Sequence, residues 1–442
     1  LAPHRVHLWH DGFSFDDPLT GRARFELLPP SFLSRPRTGP APGGGGVGVH
    51  TAWRNYDPKR PLTEIRYRFD RSGLHAVEVG HSQKRRLDLF GRPGVLHVTV
   101  GYGGRKADGV YDGSALRRER RIWGRLRYQT NDWSVELSDR SSLYRIGAHG
   151  GAVPPGPFFG SIYVLPVAGR SVRTPNARRK TVRNDLGVRV RAPLLPGLDR
   201  PTELSARWTS HTLDFRDAPR DTTWTTRLHG VHARLEQSLT RGPHHLTATA
   251  RGHLRSIGRS NVPQLQGRRG GVHLTLRDSV RLGATDLRLD AGGHLTSAQA
   301  YPSVQVQAQR AAGPVRLTAS LGVTGQRAAW IEDEGFDRFV QPLAPDRGGL
   351  ADAVIQGRLG VQTRIDAVDL GAEGFAHQIR NAVDLYAGLP EAAPPTTFTD
   401  TVAARATPSP VHRVGLSLDA GWRRNARRGL YATGKGTILK TL

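Results

Sequence analysis

The sequence predicts an all-β protein, a large antiparallel transmembrane β-barrel preceded by a short segment of different character. Three observations predict it. Between Arg183 and Trp422 the chain is a succession of segments in which every second side chain is apolar, giving strands with one greasy and one wet face. The separators alternate between short and long, which gathers tight turns on one rim and long loops on the other. The 442 residues are only 37% hydrophobic, thinly and evenly spread, as an outer apolar belt requires and several packed cores would not.

The alternation is explicit. Leu246, Ala248 and Ala250 alternate with Thr247, Thr249 and Arg251, and Val272, Leu274 and Leu276 with His273, Thr275 and Arg277. Val304, Val306 and Ala308 alternate with three glutamines, and Val315 to Thr324 continues the pattern. Tight separators are expected at 240–243, 277–281, 310–314, 366–367 and 408–410, and long ones at 257–268, 326–351 and 380–398. No apolar run reaches the ~18 residues that a spanning helix needs. Cysteine is absent, which excludes disulfides and thiolate metal sites. Methionine is absent too, and no signal segment opens the chain, so a fragment truncated at both ends is expected.

The formal charge of +26 admits a phosphate-binding face or arginine scattered over loops and wet strand faces. Scatter is the better reading, since an electrostatic footprint clusters. Arg125, Arg127, Arg189, Arg191, Arg251, Arg277, Arg316, Arg358 and Arg364 all occupy the polar phase of a strand. In a barrel they line the lumen.

Residues 1–61 differ from the rest. Arg5 to Trp9 alternates briefly and runs into Asp11-Gly12, a turn dipeptide. Asp17-Pro18, Gly21 and Leu27-Leu28-Pro29-Pro30 follow, then a glycine cluster with alternating valines, Gly43 to Val49. A phosphate cradle is a weak reading of those glycines, since no Gly-Lys-Ser/Thr follows. In their order these motifs resemble the second half of the plug domain of TonB-dependent outer-membrane receptors. In that family a small plug precedes the barrel and fills its lumen, so the resemblance implies a partial plug over 1–61 and a barrel over 62–442, in a bacterial outer membrane. It further implies uptake of a scarce ligand (an iron chelate, cobalamin or a glycan) with a TonB-type energy-coupling protein as partner.

The barrel is expected to begin with Leu62 to Phe69 and Leu74 to Gly80 around Asp70 to Gly73. Lys84 to Gly94 turns the chain back, Val95 to Tyr102 is a third strand, and Gly103 to Leu116 is a long loop. The clearest hairpin follows. Ile122, Gly124, Leu126 and Tyr128 share one phase, Thr130-Asn131-Asp132 turns, and Trp133, Val135 and Leu137 return. Tyr128 and Trp133 suit an interfacial girdle or ordinary cross-strand packing. Glu136, on the polar phase opposite Arg125 and Arg127, reads as a neutralising wall residue. The longest loop, Ser141 to Val182, is the ligand-contact candidate through His149, Phe158, Phe159 and Tyr163, because long ordered loops are commonly functional. A phase slip between Leu228 and Val231 predicts a bulge. The count reaches seventeen or eighteen strands, below the ~22 of large plugged transporters, so the last strands are expected to be missing and the barrel open.

Chemistry is sparse. None of the eighteen histidines stands at metal-ligand spacing with a carboxylate or cysteine, no Gly-x-Ser-x-Gly elbow occurs, and Glu332-Asp333-Glu334 reads as a solvated loop. Neither enzyme activity, cofactor nor metal is expected. The arginine phase favours an anionic ligand. A passive porin would share the barrel without the first sixty residues, and a basic nucleic-acid-binding β protein would share the charge without the loop alternation.

Overall fold

The computed structural model describes residues 6–18, 21, 23–40, 47–56, 58–70, 73–89, 91–109, 113–148, 172, 175–195, 200–220, 222–261, 267–296, 300–326, 340–341, 352–380, 383–387, 402–406, 410–423 and 431–441.

The N-terminal segment makes a four-stranded sheet from β1 (Val6–His10), β2 (Phe13–Ser14), β3 (Arg37–Pro40) and β4 (Val47–Thr51), in the order β2-β1-β4-β3. The β1–β2 hairpin turns on Asp11 and Gly12, at φ 52° and 81°, the left-handed pair that a two-residue hairpin needs and that Asp-Gly tolerates. Strand β4 lies parallel to β1, Val6 beside Val47 through His10 beside Thr51. Single 3-10 turns at Phe25–Leu27 and Pro30–Phe32 carry the chain between the two hairpin-like halves.

The wall begins with β5 (Leu62–Phe69), β6 (His75–Leu89), β7 (Arg92–Ala107), β8 (Leu116–Gln129), β9 (Ser134–Gly147) and β10 (Arg178–Ala192). It continues through β11 (Thr202–Asp217), β12 (Thr222–Arg241), β13 (His244–Ser260), β14 (Gly267–Leu282), β15 (Thr285–Thr296), β16 (Ala300–Ala312) and β17 (Val315–Gln326). Strands β19 (Asp352–Ile365), β20 (Val368–Arg380), β23 (Val411–Arg423) and β24 (Tyr431–Thr441) complete it. The short strands β18 (Val340–Gln341), β21 (Val383–Ala387) and β22 (Val402–Ala406) form a separate small sheet.

The seventeen wall strands form a closed barrel, with β24 beside β5, where an open one was expected. Every consecutive pair from β5 to β24 runs antiparallel, so an odd number of strands leaves the first and last pointing the same way. The seam is therefore parallel. Ladder register puts the alternation to work: Leu186, Trp208, Val231 and Leu254 are mutual neighbours along one row and all exposed. One step along the strands, Asp185, Thr209, Gly230 and Arg255 form the inward row.

Five connections are two-residue turns on one rim, at 90–91, 242–243, 283–284, 313–314 and 366–367, with Asp366 at φ 50°. The strand ends that flank the long connections 148–177, 327–351 and 381–410 lie at the other. The alternation is looser than expected, since nine residues join β10 to β11 from strand ends at the short-turn rim and only three join β15 to β16 from strand ends at the long-loop rim. Several boundaries also move. Strand β6 runs on through Lys84-Arg85-Arg86, β7 reaches Ala107, and β14 runs through Arg277 to Arg281. Charge on both faces made those stretches look like turns. They are strands that continue where the apolar outer face has ended. Pro408 to Pro410 belongs to the long 381–410 connection, and the bulge falls at Arg227/Leu228 opposite Gly258. Tyr128 is packed rather than girdle-like. Its hydroxyl donates to the carbonyls of Leu87 (3.2 Å) and Arg92 (2.5 Å), tying two turns together.

Candidate functional site

The N-terminal sheet is seated inside the barrel, against the inner faces of β6 to β13. Its core is shared with the wall: Leu8, Phe15, Leu27 and Leu28 pack on Tyr144 of β9. A second cluster joins Phe32, Trp53 and Tyr56 to Trp123 of β8. Trp53 stacks on Trp123 at 4.4 Å, and Phe32 meets the same indole at 5.3 Å. Two glycines make room for these rings. A Cβ on Gly101 would stand 2.2 Å from the Trp123 Nε1, and one on Gly80 would stand 2.6 Å from the Phe32 ring. Glycine inside a strand marks close approach of a neighbour, and here the neighbours are the aromatic keys between plug and wall.

Polar seating uses arginine against main-chain carbonyls. Arg207 donates to the carbonyl of His10 at 3.0 Å, Arg189 to that of Asp11 at 3.2 Å, and Arg183 to those of Phe15 and Asp16 at 3.3 and 3.4 Å. Arg121 donates to Leu28 and Ser142 to Leu27, while Arg125 reaches the Asn55 side chain at 3.4 Å. The Phe15 ring lies between two guanidiniums, Arg183 at 3.8 Å and Arg140 at 4.1 Å. Both cations share one carboxylate. Asp185 accepts from Arg140 at 2.5 Å, from Arg183 at 2.9 Å and from Thr209 at 2.7 Å. A buried charge persists only where it is paired and hydrogen-bonded, and this carboxylate meets that condition.

At the tip of the β1–β2 hairpin, His10 lies 3.2 Å from Asp11 and 3.1 Å from the Thr51 hydroxyl. Burial, reinforced by the positive charges of Arg140 and Arg207, pulls the imidazole down to about 3 against the opposing pull of Asp11. Burial alone would raise the Asp11 carboxyl. The charges of His10, Arg189, Arg207 and Arg140 outweigh it and hold the group below its usual range.

No family model matches the sequence, and no curated protein matches it. Solved structures do. The chain superposes on a ferric enterobactin receptor of Pseudomonas aeruginosa (PfeA) with a TM-score of 0.70 at 13% identity, covering 99% of this chain and 73% of that one. The siderophore receptor PirA of Acinetobacter baumannii gives 0.70 at 13%, over 98% and 72% of the two chains. The FrpB iron transporter of Neisseria meningitidis gives 0.68 at 11%, over 99% and 72%. The fold is that of the TonB-dependent receptors.

Within that receptor fold the arginines expected to line the lumen have divided. Arg125 and Arg189 are taken up by the plug, and Arg189 also pairs with Glu136 at 3.6 Å and Glu203 at 3.5 Å. Arg191 is half-exposed, 4.0 Å from Glu203. Arg127 lies opposite Glu136 in its ladder. Arg277 pairs with Asp290 at 2.5 Å, and Arg316 is exposed beside Gln362. His149, Phe158, Phe159 and Tyr163 lie outside the described residues. The wall arginines that matter most for seating, Arg121, Arg140, Arg183 and Arg207, were not among the expected ones, although each sits on a polar strand phase. Histidines that look isolated in the sequence are also brought together. His232, His253 and His294 follow one another at ring separations of 6.0 and 5.8 Å, and His273 meets His294 at 6.4 Å. Cross-strand register does this, and it is invisible to a search for local spacing.

Proposed function

We propose that the chain acts in a bacterial outer membrane as a plugged uptake receptor for a ferric chelate, with a TonB-type protein supplying the energy. The observation that carries the reading is the plug itself, a separate sheet keyed into one side of the lumen by aromatic rings and arginine–carbonyl bonds. A passive channel has no use for such an obstruction. The ligand class is supported by the neighbours, which are receptors for ferric enterobactin or another siderophore and an iron transporter.

Capture would fall to the connection between β9 and β10, whose sequence carries the candidates His149, Phe158, Phe159 and Tyr163. Among the expected lumen arginines left outside the plug contacts above, Arg191, Arg277 and Arg316 would favour anionic chelates by raising their local concentration. The decisive test is bilayer conductance of the whole chain against a variant lacking residues 1–61. The reading expects a closed channel that opens on deletion, and a porin would conduct equally with and without the segment. The anion preference is tested by Arg191→Gln with Arg277→Gln. An unchanged uptake ratio of anionic to neutral ferric chelates would remove it.

A further inference from the structure

Between Asn55 of the plug and the short-turn rim lies a polar cavity of about 450 Å³, lined among others by Asn55, Lys84, His97, Arg127, Gln129 and Asn131. We propose that this cavity is a binding subsite for a compact multi-oxygen anion, a carboxylate- or phosphate-bearing small molecule. The ladders make it. Lys84, His97 and Arg127 are successive register partners on β6, β7 and β8, so two cations and an imidazole stand side by side on one level of the inner wall. Lys84, Arg125 and Arg127 are all close enough to His97 for their charges to act on its ring. Amide side chains from three directions complete the lining: Asn55 from the plug, Gln129 from the end of β8 and Asn131 from the turn.

The nearest wall carboxylate on that level is Glu136, opposite Arg127, and it lies 3.6 Å from Arg189 on its other side. His97 is oriented by Ser82 at 2.8 Å and Thr99 at 3.3 Å. The cavity therefore sets two cationic side chains beside neutral hydrogen-bonding groups. A multi-oxygen anion satisfies both, since charge-assisted hydrogen bonds are the strong ones. The site stands at the opposite rim from the long loops and does not depend on the transport reading.

Calorimetric titration of the detergent-solubilised whole chain with citrate, and separately with inorganic phosphate, tests the proposal. Saturable one-to-one binding of either is expected, and the tighter of the two identifies the anion's source. The pair Lys84→Gln and Arg127→Gln should weaken it roughly tenfold or more, while Arg281→Gln, which removes an exposed cation on β14, leaves it unchanged. Lys84→Arg with Arg127→Lys should restore it. Asn131→Leu, outside every ladder, fills the same cavity and should weaken binding without touching the wall, which keeps the test valid if the glutamine pair fails to fold. Absence of saturable binding to both anions overturns the proposal, as does binding that Asn131→Leu leaves intact or that Arg281→Gln weakens equally.

Discussion

The two sides of the barrel use the same residue types in the same strand phase for different ends. On β8 to β11, inward arginines are buried and directed at the plug: Arg121, Arg140, Arg183 and Arg207 contact its carbonyls or rings. On β14 and β15 they are partly exposed and directed at the wall's own carboxylates, Arg277 and Arg288 sharing Asp290 at 2.5 and 2.7 Å. A polar phase in the sequence therefore states which way a side chain points and not what it meets there. What it meets is decided by where the plug lies, and burial changes the energetic weight of each ion pair several-fold.

The sharpest way to break this contrast is Asp185→Asn. It leaves Arg140 and Arg183 buried around a neutral amide, and stranding a buried charge costs about 3–5 kcal/mol. Hydrogen exchange should show the β4 amides losing protection by that amount, with the far-wall amides unaffected. Equal loss on both sides would refute the division. Trp123→Ala comes next. It removes the indole shared by Trp53 and Phe32, at about 3 kcal/mol, the low end for a tryptophan because Gly101 beside it leaves neighbours room to collapse. Loss of protection at residues 47–56 checks it.

Much of this was legible beforehand, and the division shows why the rest was not. Period-two alternation is a property of single strands, so the barrel, its wet inner face and the turns at Gly242-Pro243, Gly313-Pro314 and Asp366-Ala367 could be read directly. The Asp11-Gly12 hairpin announced itself by the same local chemistry. Strand ends could not be read where Lys84 to Arg86 and Arg277 to Arg281 carry charge on both faces. The docking site was the least legible, because it joins residues far apart in sequence: Arg207 with His10, Arg183 with Phe15, Trp123 with Trp53. One signal was present and unused. Gly80 and Gly101, direct register partners, interrupt the inward polar phase of adjacent strands, and paired strand glycines mark a place where something large approaches.

Acidity acts on the plug side through His10. Its imidazole is held neutral down to about 3 when docked, against about 6.5 when exposed. The undocked form therefore takes up the proton first. Docking weakens as pH falls below about 6.5 and goes on weakening until about 3, by roughly 2 kcal/mol at pH 5. Protection of the β4 amides should fall between pH 7.5 and 5, and His10→Gln should flatten that slope. Protection that rises on acidification would contradict the sign.

The smallest effect belongs to the far wall and completes the contrast. Arg277→Gln breaks a 2.5 Å ion pair with Asp290, shorter than most contacts at the plug. Distance alone would rank it highly. Arg277 is nevertheless 43% exposed, water screens the pair, and Arg288 remains on the same carboxylate, so the loss should stay within about 1 kcal/mol. Thermal or urea unfolding of the barrel should barely shift. A loss comparable to that of Asp185→Asn would mean that the far lumen is as dry as the docked side, and that a second body covers it.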